Sequence, residues 1–333
     1  MLQGSPWLIA HKSMLAVNQP FKVSLYGKDY VLWKDLQGNI NALENMCPHM
    51  GAMLSAGWCE AKSDGSSTVV CPFHALEFDA QGCTILPGSN KHTLPLLAPL
   101  ELIIQGDFIW SYGGEEAKIP IPNILNEIAA SYDFVGHTGD CSVETDLRSM
   151  LLNMHDYNHQ NGTHRELFKI TEVQFEKFID EGHHSHAYYH MPTAPSSLAE
   201  KLQNPALFLM PKVMSAHLEN YFPHLVIFHA DVPAGTVAQC HFFVPESEGR
   251  TRTYVLVFAQ PKSPVLNLMK KQMLDMVKVV VEQDAAILSK IYPDTQRKIR
   301  LNNEVGMDWV DRNYYSFPAI VLKQESTHEY PSL

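Results

Sequence analysis

Cys47-Pro48-His49-Met50-Gly51 and Cys71-Pro72-Phe73-His74 are the two stretches of this 333-residue chain whose reading decides its fold. Each is a mixed Cys/His couplet followed by residues suited to a tight loop, notably Gly51 and Gly57 after the first. Two thiolates and two imidazoles can bind one zinc ion. They can also hold a [2Fe-2S] cluster, with both cysteines on one iron and both histidines on the other. A zinc finger presents paired cysteines and then paired histidines, whereas here each couplet is mixed and its surroundings are rich in strands. Cys59 and Cys83 extend the cysteines to a spacing of twelve, but a four-cysteine site would leave His49 and His74 unexplained. Those two cysteines read as small buried hydrophobes.

Outward from the couplets, residues from about Trp7 to Tyr112 read as short strands between turns. Phe21 to Tyr26 alternates, Tyr30 to Trp33 returns, and Glu101 to Trp110 has the look of a closing hairpin. The segment from Gly113 to Pro122 has linker composition, which puts a boundary near residue 118 and predicts domains of 1–118 and 119–333. The second domain mixes a helix over about Asp146–His159 with strands near Ile170–Ile179, Ser185–His190, His224–His229 and Thr253–Ala259. A helical region opens at Pro264, with Leu266, Met269, Met273, Met276, Val277 and Val280 on one apolar face. The fold class expected is α+β: an all-β N-terminal domain before a mixed one.

Charge and composition exclude several functions. With 25 basic against 36 acidic residues the formal charge is -11, and no basic stripe stands ready for phosphates, so nucleic acid is not an expected partner. The apolar runs fall short of the roughly 20 residues a membrane span needs. The opening Met1-Leu2-Gln3-Gly4-Ser5-Pro6 lacks the sections of a signal peptide, so a cytoplasmic location is expected. Six cysteines are too few for a disulfide framework, whereas 17 histidines point towards metal.

A second group of ligand-type residues lies in the stretch Asn153 to His164, where His159 and His164 follow Asp156. On a helix running into a turn, both imidazoles can face one ion, with Asp156 one turn back and within reach of a ring nitrogen. A carboxylate would complete the two-histidine, one-carboxylate set that leaves open positions on Fe(II). Asp284 is the candidate, because a carboxylate on an apolar helix face needs a partner. Glu282, Asp275 and Asp294 are its rivals.

Together these residues resemble the Rieske non-haem iron oxygenases. The Cys-x-His and Cys-x-x-His pattern is met by Cys47, His49, Cys71 and His74, and the likeness extends to Pro48, Gly51, Leu54, Gly57, Pro72, Phe78, Asp79 and Gly82. The family's Asp-x-x-His-x-x-x-x-His pattern is met by Asp156, His159 and His164. Two departures stand out: a long loop over residues 50–70, and Ala75-Leu76 where the family has Gly-Trp. The resemblance implies a Rieske [2Fe-2S] domain followed by a catalytic domain with an antiparallel sheet flanked by helices, of the helix-grip type, carrying mononuclear Fe(II). It implies a small, moderately apolar organic substrate, O2, and a separate reductase or ferredoxin as electron donor. It also implies a homotrimer in which Asp156 bridges the iron of one subunit to His49 or His74 of the next. Asn153, one helical turn before Asp156, is a candidate to lie beside the iron, with a structural role as the alternative. An electron carrier without catalytic iron and a zinc-stabilised interaction protein are the alternatives. The histidine-rich stretch from Gly182 to His190 reads as an exposed or pocket-lining strand, with histidines on both faces and no carboxylate spaced to join them. The proline-bearing connection from Met191 to Pro211 reads either as a lid over the site or as packing over the core.

Overall fold

The structure, a computed structural model, describes residues 2–84, 86, 92–203, 207, 212–232, 235–292 and 297–319. Much of the lid-like connection, including Phe208 to Pro211, and Asp294 lie outside the described residues. The chain forms two compact units. The first takes Gln3–Ile121 together with Val244–Arg252, and the second takes Pro122–Phe243 and the chain from Thr253 onwards.

The first unit holds β1 (Trp7–His11), β2 (Phe21–Leu25), β3 (Lys28–Lys34), β4 (Ile40–Glu44), β5 (Trp58–Ala61), β6 (Ser67–Val70), β7 (Glu77–Phe78), β8 (Ile103–Gln105) and β9 (Phe108–Ser111). They form three small antiparallel sheets, β1-β9-β8, β2-β3-β4 and β5-β6-β7. The strand-and-turn reading of this region therefore matches what is seen. Val31, Trp33, Leu43, Leu54, Val69 and Phe78 make its core, and the Trp33 indole donates to the Ser67 carbonyl at 3.1 Å. Gly57 is required by close approach, since a Cβ there would lie 1.8 Å from the Val70 carbonyl oxygen.

The second unit begins with α1 (Ile124–Ser131), β10 (Asp133–His137), β11 (Cys141–Val143), α2 (Leu147–His155) and α3 (Arg165–Phe168). It continues through β12 (Gln174–Glu181), β13 (His184–Pro192), α4 (Leu198–Gln203), β14 (Val213–Tyr221) and β15 (Leu225–Val232), then through β16 (Gly235–Ser247) and β17 (Arg250–Pro261), whose joined ends over Val244–Arg252 count with the first unit. It ends in α5 (Pro264–Leu268), α6 (Lys270–Leu288) and α7 (Val305–Ser316). The sheet runs β10-β17-β16-β15-β14-β13-β12, with β11 also on β17. The two strands read near His224–His229 and Thr253–Ala259 are not neighbours, because β16 lies between them. Met273, Val277, Val281 and Leu288 are the buried face of α6, and that helix packs on β10, β11 and α2.

One expectation needs correction. The helix read over Asp146–His159 stops at His155, and a separate 3-10 turn runs from Tyr157 to Asn161. Asp156 sits between them in extended conformation and accepts the Asn158 N–H at 3.0 Å, so a short acidic side chain caps the second element instead of continuing the first. Helix α7 is pressed close to this junction: a Cβ on Gly306 would lie 2.4 Å from the Tyr157 hydroxyl.

Candidate metal centres

The two couplets of the first unit fold as matching loops. Gly51 N–H donates to the Cys47 carbonyl and Cys47 N–H to the Ala52 carbonyl, both at 2.9 Å. Ala75 N–H donates to the Cys71 carbonyl at 3.0 Å and Cys71 N–H to the Leu76 carbonyl at 2.9 Å. The fifth residue of each loop has a left-handed backbone, Gly51 at φ 75° and Ala75 at φ 55°. Ala75 thus occupies the place where glycine would be unstrained. The loops bury Cys47 and Cys71 and leave His49 and His74 exposed, their ring centroids 4.6 Å apart.

Burial and the neighbouring Cys71 push the Cys47 thiol above its ordinary value, so two adjacent thiolates need a cation between them. Among the described residues these four side chains do not bring ligand atoms within 4.8 Å of one another, as a single tetrahedral ion requires. A thiol pair in the protein and an imidazole pair at its surface fit a two-iron cluster instead. Cys59 is half-buried against the core of the unit, where burial pushes its thiol up to about 12, and Cys83 is also only half-buried.

In the second unit His159, His164 and Asp284 come together, each offering a ligand atom within 4.8 Å of the others. Nε2 of His164 lies 3.2 Å from Asp284 Oδ1, and Nε2 of His159 lies 3.7 Å from the same oxygen. The Nδ1 of His159 donates to the Asp156 carbonyl, and that of His164 donates to Gln283 Oε1 at 2.9 Å. Each Nδ1 is thereby occupied, which turns both Nε2 atoms towards Asp284; that of His159 also accepts from the Gln160 amide at 3.2 Å, a contact an ion would displace. His164 Nε2 and Asp284 Oδ1 are buried and make no well-formed hydrogen bond, which is the signature of a donor set built for a cation. Two imidazoles and one carboxylate suit Fe(II) with open positions.

The electrostatics favour the same use. Burial opposes ionisation of Asp284, yet the close His164 imidazole, the charge of His159 and the Asn153 amide hold its carboxyl below the usual range. Burial lowers His159, whereas Asp284 and Gln283 outweigh burial at His164 and raise it. The rivals Glu282 and Asp275 are more than half exposed and pair with Lys278 and Lys271.

Asp156 differs from expectation in one respect. Its main-chain carbonyl holds the His159 ring, while its carboxylate faces the 3-10 turn. Gln283 was missed by sequence reasoning, because only the fold brings it to His164. Gln283→Leu is expected to weaken iron binding roughly 10–100-fold, as loss of an outer hydrogen-bond partner does; iron titration of the metal-free chain measures it, and unchanged affinity removes Gln283 from the site.

Above this donor set lies a cavity walled by Met154, Phe168, Leu218, Phe228, Val257 and Met273. Gln160, Gln239 and His241 are among its polar groups. Burial pushes the His241 imidazole down to about 4, so it is neutral near pH 7 and can donate one hydrogen bond and accept another.

Comparison with known proteins identifies the class. A model of the Rieske [2Fe-2S] domain matches residues 5–96, and one of the vanillate O-demethylase oxygenase C-terminal domain matches residues 143–309, half of the chain. The chain belongs to the Rieske non-haem iron oxygenase family, in the branch defined by that C-terminal domain. The vanillate O-demethylase oxygenase subunit of Pseudomonas sp. (strain HR199 / DSM 7063) is 25% identical over 52% of this chain and 48% of its own length. The 4beta-methylsterol monooxygenase of Methylococcus capsulatus (strain ATCC 33009 / NCIMB 11132 / Bath) is 23% identical over 80% and 71%. Several alignments span about half of the curated relative or less. Dicamba monooxygenase bound to dicamba shares the fold with a TM-score of 0.74 at 18% identity, covering 95% of this chain and 97% of that one. Among the described residues no helix is long and apolar enough to cross a membrane.

Proposed function

We propose that this protein is an oxygenase that uses O2 and electrons from a separate reductase or ferredoxin to hydroxylate or oxidatively demethylate a small, moderately apolar organic molecule. In this reading Cys47, Cys71, His49 and His74 hold the [2Fe-2S] cluster, and His159, His164 and Asp284 hold mononuclear Fe(II). The protein works as a homotrimer in the cytoplasm, with Asp156 linking the iron site of one subunit to His49 or His74 of another. The observation that carries it is that His159, His164 and Asp284 converge on the wall of an apolar cavity, with His164 Nε2 and Asp284 Oδ1 buried and making no well-formed hydrogen bond. An electron carrier needs neither the donors nor the cavity.

When bound, the mononuclear iron supplies the centre at which O2 is reduced and its oxygen delivered to substrate. The chain's own residues do the rest. Asp156 and Gln283 fix the histidine tautomers, Asn153 helps keep Asp284 ionised, and the apolar walls exclude water. Gln239 and neutral His241 orient a substrate through one polar substituent. Exposed Met50 and Phe73 beside His49 and His74 offer an apolar rim for docking of the cluster edge.

The test is iron, zinc and acid-labile sulfide per chain on anaerobically purified protein, followed by substrate-dependent O2 consumption over a panel of aryl methyl ethers and sterols. About three irons and two sulfides with turnover are expected. Zinc without sulfide overturns the reading.

A further inference from the structure

The histidines read from Gly182 to His190 do not lie on both faces of a strand. His184, His186 and His190 alternate with buried Ser185, Ala187 and Tyr189, so they share the face of β13 turned away from the cavity that Tyr189 and Met191 line. Carboxylates do join them: Glu181 pairs across the hairpin with His184, and Glu219 of β14 lies opposite His186. We propose that Glu181, His184 and His186 form a second metal site, taking a divalent ion of borderline softness such as Zn2+.

Each of the three offers a ligand atom within 4.8 Å of the others. Glu181 Oε2 is 3.0 Å from His184 Nδ1, and the rings of His184 and His186 are 4.5 Å apart. The other side of each ring is occupied. His184 Nε2 lies 3.2 Å from Glu219 Oε1, and His186 Nδ1 lies 3.0 Å from His217 Nε2. Those bonds leave His184 Nδ1, which already faces Glu181, and His186 Nε2 as the ligating nitrogens, and Glu219 gives His184 the carboxylate–histidine–metal arrangement that orients an imidazole ligand. Glu219 is itself fixed by the Tyr221 hydroxyl at 2.6 Å and His229 Nε2 at 3.2 Å.

The turn that presents the ligands is tied down by hydrogen bonds from α7. Gly182 adopts φ 81° at its first central position, where a type II′ hairpin requires glycine. Trp309 and Asn313 of α7 donate to the Gly182 carbonyl at 2.8 and 3.1 Å, and Arg312 grips Asp180 with two hydrogen bonds. Two nitrogens and one oxygen select Zn2+, Ni2+ or Cu2+ over Ca2+ or Mg2+, and three protein ligands leave a position for water.

The test titrates chelator-treated full-length protein with Zn2+ and counts bound ions, for wild type, Asp284→Ala, Glu181→Gln and the double variant His184→Ala/His186→Ala. Wild type is expected to bind about two ions outside the cluster, and Asp284→Ala and the double variant about one each, because the two sites fill independently. Glu181 is exposed, so Glu181→Gln is expected to keep the metal-free melting temperature and to weaken one site at least about tenfold. Zinc binding in Glu181→Gln indistinguishable from wild type overturns the proposal, whether or not the double variant folds, and leaves the cluster as a hydrogen-bonded network. Because Asp284→Ala isolates this site, the result does not depend on the proposed oxygenase activity.

Discussion

Asp156→Asn is expected to retain the visible spectrum of the cluster and the full iron content while turnover falls at least about 100-fold. The position lets charge be changed without changing shape. The Asp156 carboxylate caps the 3-10 turn by accepting the Asn158 N–H at 3.0 Å, and asparagine caps as well as aspartate. The bond that orients His159 comes from the main chain of residue 156, so it survives the substitution. What is lost is the anion that, in the proposed trimer, accepts a hydrogen bond from a cluster histidine of the neighbouring subunit. Reduction of the cluster by dithionite followed by one turnover reads this step directly: the variant's cluster should stay reduced when substrate and O2 are added. Product formation at the wild-type rate sinks the linking role, and loss of iron assigns Asp156 to assembly of the metal site instead.

What the sequence made legible follows from how far apart the cooperating residues are. The couplets at Cys47 and Cys71 carry their chemistry within loops of a few residues, and their residue types leave few alternatives. His159 and His164 are also local. Asp284 was reachable because it occupies the same helix face as Val277 and Val281, where an acid is costly unless partnered. Gln283 gave no such signal. The break at Asp156 was hidden because apolar spacing continues through it, and only the capping geometry shows that the chain leaves the helix. The carboxylate Glu219 reaches His184 and His229 through strand pairing, which no local pattern encodes. The insertion of β16 between β15 and β17 was likewise invisible, since its polar residues, such as Gln239 and His241, face the cavity.

Asp284→Asn should abolish turnover by removing the mononuclear iron, lowering the content from about three irons per chain to about two with sulfide unchanged. The same substitution tests the electrostatics of the metal-free chain. Asp284 is depressed below its ordinary 3.8, so its contribution to stability is present above that value and fades as pH falls through the lower folded one. His164 is raised above 6.5, so its contribution is complete below 6.5 and fades as pH rises through the higher folded value. The buried pair therefore stabilises the metal-free protein most between about pH 4 and 6.5. In urea unfolding without metal, the deficit of Asp284→Asn relative to wild type should be larger at pH 5.5 than at pH 8.5. Iron binding runs the other way, because the ion must displace the His164 proton, so wild-type affinity should climb as pH rises above 6.5. A variant that keeps its iron removes Asp284 from the ligand set. A variant that loses iron but shows a pH-independent stability deficit leaves the ligand assignment standing and rejects the ion pair.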